Sequence, residues 1–163
     1  MKRLLLNIVF IWFTCFSFLV IAMEPVVVTW ESLNEMNYET GAMPLTLKNL
    51  NFKMIKVEGF IVPLDDFEID YIKEFLLVPD PMSCIHVPPP PPNQMIHVKM
   101  KRKIPLDMDY RGVAITGILK FTEPEKDLFS YELAGIFSEV VDIEYEDPFA
   151  EFDEYMLDDS FFE

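Results

Sequence analysis

The sequence is poor in the residues from which most catalytic and metal centres are built. It holds two cysteines and two histidines among 163 residues, with two tryptophans and five glycines. Two cysteines exclude a disulfide-stapled scaffold, and no close-spaced cysteine pair marks a metal site. Positive charge is scarce as well. Thirteen Lys and Arg face 28 Asp and Glu, a net charge of −15. A field of that sign repels phosphates, which excludes a general nucleic-acid binder or a protein held on anionic lipid. Hydrophobic residues reach 51%, so the composition is that of a folded chain rather than a disordered one.

What is abundant is unevenly placed. Lys2 and Arg3 precede an apolar run from Leu4 to Ile21, and Val20-Ile21-Ala22 suits cleavage after Ala22. Residues 1–22 are therefore expected to be a secretory signal peptide, with location in the periplasm or outside the cell. The competing expectation is a retained anchor, since the run is just long enough to span a bilayer. It would be the only route to membrane contact. Phe13-Thr14 before Cys15 is a poor context for lipid attachment. Cleavage leaves Cys84 as the single cysteine, and 11 basic against 28 acidic residues, a net charge of −17.

Residues 145–163 form a second distinct zone, an acidic and aromatic tail. It carries eight acids and no base, interleaved with Phe149, Phe152, Tyr155, Phe161 and Phe162. Two readings apply: a solvated terminus, or a docking segment for a basic, partly apolar surface. That surface could belong to another protein or be the chain's own Lys99, Lys101, Arg102 and Lys103.

Between these zones, residues 23–144 read as one all-β domain. Strand-like runs cover Phe52–Val62, Phe75–Val78, Met95–Met100, Val113–Phe121, Tyr131–Phe137 and Val140–Ile143. Gly59 reads as a bulge or bend, Gly117 as a point of barrel curvature, and Lys101–Asp109 as an irregular insertion. Trp30–Leu33 suggests a short helix or turn, and acid-rich Asp65–Tyr71 a loop or short helix. Five or six short strands with Gly and Pro punctuation predict a small, OB-like, partly open barrel with short helical or loop insertions.

The chemistry concentrates in fourteen residues. Cys84, His86 and His97 fall together around Pro88, Pro89, Pro90, Pro91 and Pro92, followed by Asn93 and Gln94. In an extended segment Cys84 and His86 share a face. A thiolate and two imidazoles make a soft set for Zn²⁺ or Cu⁺, completed by water or by Asp65, Asp66 or Asp80. The bland alternative is a buried thiol beside a hydrogen-bonded histidine. A thiol-dependent enzyme would need His97 as base, because Cys84 and His86 are too close in sequence to face each other. The proline run is a stiff polyproline II ridge. It serves either as a structural strap, with Asn93 and Gln94 bonding exposed backbone, or as a contact for an aromatic-lined groove. Ten scattered methionines are packing residues, not a copper signature.

The Cys-Ile-His-Val-(Pro)₅-Asn-Gln stretch has a further implication. With Val57–Leu64, Glu74–Pro79, Val28–Leu33 and Thr116–Leu119, it closely resembles a bacterial family of secreted or lipid-anchored proteins, the domain of unknown function 3299. The likeness spans about residues 26–143. It implies an envelope location, and for some members a gene beside an ABC-type transport system, but no activity. The family signature maps to Cys84, His86, the prolines, Asn93 and Gln94. Met82-Ser83 stand where small residues are usual, His97 has no counterpart in the pattern, and the tail lies outside it. The expectation is thus an exported accessory protein, not an enzyme, that handles a metal or small ligand near Cys84 and His86 with a transporter partner. The alternative is an interaction module using the strap and tail.

Overall fold

A computed structural model describes residues 24–64, 70–84, 90–106, 112–123 and 128–144. The proposed signal peptide and the acidic tail lie outside the described residues. Among the described residues, no helix is long and apolar enough to cross a membrane.

Six strands form one sheet. They are β1 (Val26–Val27), β2 (Met54–Pro63), β3 (Tyr71–Val78), β4 (Ile96–Pro105), β5 (Val113–Phe121) and β6 (Tyr131–Val140). The neighbour order is β1-β2-β3-β4-β6-β5, and β5 pairs back onto β2. Five strands therefore close into a barrel, with β1 added in parallel beside β2. The β4–β6 pair is parallel, and the other ring contacts are antiparallel. This is the OB-like, all-β architecture expected from the strand count.

Alternation builds the interior. Ile55 and Val57 of β2, Phe75 and Leu77 of β3, Ile96 and Val98 of β4, Ile115 and Leu119 of β5, and Leu133 of β6 are all essentially inaccessible to solvent. β-branched residues dominate these positions because they pack well on a pleated surface. Two short helices add to the same core, α1 (Trp30–Asn34) and α2 (Leu45–Lys48). Thr29 caps α1 through its hydroxyl, which accepts from the Ser32 amide. Leu33, Met36 and Leu47 join the barrel cluster. Burying Leu33 completely contributes on the order of 1.5–3 kcal/mol. The Trp30 indole N–H donates to the Glu58 carbonyl at 2.6 Å and ties α1 to β2.

Tyr131 links α1 to the barrel. It is fully buried, and its hydroxyl donates to the Leu33 carbonyl at 2.6 Å. Burial pushes the phenol well above its ordinary pKa, so it stays a neutral donor. Tyr131→Phe keeps the ring and removes that bond. It should lower the unfolding free energy by about 1–2 kcal/mol in urea titration, with an unchanged m-value. A loss below about 0.3 kcal/mol would mean the bond does not tie the helix down.

Three boundaries differ from the sequence expectation. β3 starts at Tyr71 rather than Phe75, because Tyr71 and Ile72 pair with Pro105 and Ile104. β4 runs through Lys101–Pro105, where an irregular insertion is expected. β6 runs unbroken from Tyr131 to Val140 against Val113 of β5, and Val141–Ile143, expected as a separate last strand, lie outside it. Cross-strand partners supply hydrogen bonds that local pattern does not reveal.

Candidate functional site

The outer face of the barrel carries a second apolar cluster. Phe60 and Val62 of β2 alternate away from the interior, and they pair in register with Val78 and Leu76 of β3. Met95, Phe129 and Ile143 complete the cluster. His97 opens the same face of β4, since its register partner on β3 is Leu76. Its ring lies against Phe129 at a centroid distance of 4.7 Å.

His97 is held by a carboxylate. Its Nε2 lies 2.9 Å from Glu74, whose other oxygen is 3.1 Å from the Lys99 ammonium. The Lys99 hydrogen bond holds the Glu74 carboxyl below the usual range, with His97 adding to the effect. An ionised Glu74 fixes one imidazole nitrogen as a donor and leaves Nδ1 as the second functional atom.

The loop that bears Cys84 and His86 joins β3 to β4. Its first part is a 3-10 turn, Pro81–Cys84, whose start is capped by Asp80 accepting from the Met82 amide at 2.8 Å. This turn packs against β2. It replaces the expected extended backbone at Cys84, so period-two alternation no longer places Cys84 and His86 on one face. His86, Pro88, Pro89 and the Cys84 side chain lie outside the described residues. Among the described residues, no group of three His, Cys, Asp or Glu side chains is placed to hold a metal ion.

The end of the loop is firmly anchored. Pro91 has polyproline II geometry, and Pro92–Gln94 form a second 3-10 turn. The Pro92 carbonyl accepts from the Ser130 amide at 2.8 Å. Asn93 is 4% exposed, and its side-chain amide donates to the Met36 carbonyl at 2.9 Å and to the Asn34 carbonyl and Oδ1 at 3.2 Å. Gln94 reaches the Trp30 carbonyl at 3.4 Å. The two amide side chains thus bind backbone of α1 and the turn after it. Asn93 also lines an open cleft of about 440 Å³ with residues Asn34–Glu39, and its Oδ1 is buried with no partner among the described residues.

The family model for DUF3299, a protein of unknown function, matches residues 25–139. The chain belongs to this family. A crystal structure of a DUF3299 family protein from Pseudomonas aeruginosa PAO1 is similar in fold, with a TM-score of 0.57 and 27% sequence identity. The match covers 76% of this chain and 99% of that one. No curated protein matches.

In this DUF3299 member the described part of the signature, from Pro90 to Gln94, is bound to α1 and to Ser130. The site residues that sequence reasoning missed are the partners: Glu74 and Phe129 for His97, Asn34 and Met36 for Asn93. Neither set has a sequence signal. Each is brought in by strand register or by the helix crossing the turn.

Proposed function

We propose that this DUF3299 protein is an exported accessory protein of the cell envelope that binds a metal ion or small ligand at the β3–β4 loop. In this reading Cys84 and His86 supply ligands from the loop and His97 from the barrel face. A thiolate with imidazoles suits Zn²⁺ or Cu⁺. The observation that carries it is the Glu74–His97 pair, because a carboxylate on one imidazole nitrogen is the common way to orient the other toward a ligand. Residues 1–22 would direct export, and a transport system would be the partner. The chemistry is binding rather than catalysis.

We propose further that the closed ring loosens into a partly open barrel at one end of the β4–β6 pair. Its support is that the β4–β6 ladder ends at Met100–Gly135 although both strands run on.

Metal analysis tests the site. Untagged protein loaded with Zn²⁺ or Cu⁺ and desalted should retain about one ion per chain. Cys84→Ser and His97→Ala should retain little, and Glu74→Gln should bind about 10–100-fold more weakly. Equal, near-zero retention in wild type and Cys84→Ser would sink the metal reading. A second reading, a docking module for other proteins, is favoured by the exposure of Pro91 on a ridge anchored by Asn93.

A further inference from the structure

The loop after α1 and the end of the proline motif share an open cleft of about 440 Å³, within the volume range of small-molecule sites. Residues 34–39 and Asn93 line it, with no lysine, arginine or histidine among them. The loop is fixed by its own hydrogen bonds. Asn37 Oδ1 accepts from the Glu39 and Thr40 amides at 3.0 and 2.9 Å, and the Asn37 amide donates to the Ala42 carbonyl at 2.8 Å. Glu35, Tyr38 and Glu39 are exposed on this frame. Neither carboxylate forms an ion pair among the described residues. The deciding atom belongs to Asn93. That side chain is almost wholly buried, and its amide nitrogen donates to the Met36 carbonyl at 2.9 Å and to Asn34 at 3.2 Å. Its Oδ1 is buried and accepts from nothing among the described residues. Folded interiors leave few acceptors unpaired, and this one belongs to the wall of a cleft.

We propose that this cleft binds a primary ammonium group, with Asn93 Oδ1 accepting one of its N–H bonds. Three groups set the ligand: the unpaired Asn93 oxygen and the Glu35 and Glu39 carboxylates. All three call for donors, and two carry negative charge. An ammonium brings three N–H donors, no acceptor and the complementary charge. Tyr38, 40% exposed, presents aromatic surface to the cation or to its alkyl stem. An anionic ligand would be repelled, and a neutral hydroxyl would leave the carboxylates unmatched. A metal ion is a poorer match, because among the described residues no three His, Cys, Asp or Glu side chains are grouped to hold one. The cleft uses none of Cys84, His86 or His97, so the ammonium site and the proposed metal site fail or stand independently.

Titration of the isotope-labelled full chain, followed by NMR at about 0.15 M salt to screen non-specific attraction, tests the proposal. The probes are a linear five-carbon diamine, an acetylated lysine amide and tetramethylammonium. With either amine, the Asn93 Cγ resonance and the backbone amides of residues 34–39 should shift together and saturate. Tighter binding of the diamine identifies a free amine as the ligand, and tighter binding of the lysine amide a lysine side chain of another protein. Both results support the site. Tetramethylammonium has the charge but no N–H, and should bind at least about tenfold more weakly. Glu35→Gln/Glu39→Gln changes only exposed side chains. It should keep the barrel resonances and weaken both amines by about tenfold. Equal binding of tetramethylammonium and amine, or shifts in residues 34–39 without one at Asn93 Cγ, would mean a charged surface only and overturn the proposal. Displacement of the amine by equimolar Ca²⁺, or no saturation at about 10 mM amine, would overturn it too.

Discussion

Gly117→Ala should destabilise the barrel by about 3 kcal/mol or more, whereas Gly135→Ala should cost no more than about 1.5 kcal/mol. The two glycines face each other across β5 and β6 at the point where the register shifts between Thr116 and Gly117. A methyl group on Gly117 would meet only backbone: the Ala134 carbonyl oxygen, its carbon at 2.9 Å, and the Gly135 Cα at 3.0 Å. None of these can move without parting the two strands. A methyl group on Gly135 would instead meet the thioether of Met100, the far end of a flexible side chain. Urea titration of both variants decides the matter, through midpoints compared at a common m-value. Similar losses in the two would show that the strands relax around Gly117 and that close backbone approach does not set the bulge. The bulge makes Ile136 the extra residue of β6, directly after the last β4–β6 pair, Met100 and Gly135.

Much of this architecture is legible in the sequence, for reasons that differ by element. β5 can be read to the residue, because Val113–Phe121 is apolar and β-branched at its centre and depends little on its neighbours. Gly117 can be read as a point of curvature, since a lone glycine in such a run has few other uses. The second half of β4 cannot. Lys101-Arg102-Lys103 breaks the alternation, and only pairing of Ile104 and Pro105 with β3 keeps the chain extended there. The end of β6 is obscured in the same way by Ser138 and Glu139, which pair with Ile115 and Ala114. The candidate site divides similarly. The Cys84–Gln94 motif announces itself by composition, and family membership follows from it. The carboxylate behind His97 does not, because Glu74 lies 23 positions away and reaches the imidazole only through the β3–β4 register.

Asn93 is the buried polar residue at the end of the proline motif, and an isosteric change isolates its contribution. Asn93→Asp should lower stability at neutral pH by about 3 kcal/mol or more, a larger loss than Asn93→Ala. The native amide nitrogen is surrounded by acceptors: the Met36 carbonyl, the Asn34 carbonyl and Asn34 Oδ1. This also fixes the amide orientation, since the reverse placement would set oxygen against oxygen. An aspartate makes that reversal permanent and adds a charge at a position only 4% exposed. Alanine leaves the same carbonyls unpaired but introduces no charge. The two variants should therefore differ in pH dependence. A carboxyl facing acceptors in a buried site is held protonated, so its folded-state pKa lies above the unfolded value of about 3.9. The folded state then binds the proton more tightly. Stability of Asn93→Asp should be highest below about pH 4 and fall as pH rises through the folded-state pKa, while Asn93→Ala tracks the wild type with a constant offset. Chemical unfolding at pH 4 and pH 7 measures both. Parallel curves for the two variants would mean that the turn opens and lets water reach position 93. The proline ridge would then be held by Pro92 and Gln94 instead, through the Ser130 amide and the Trp30 carbonyl.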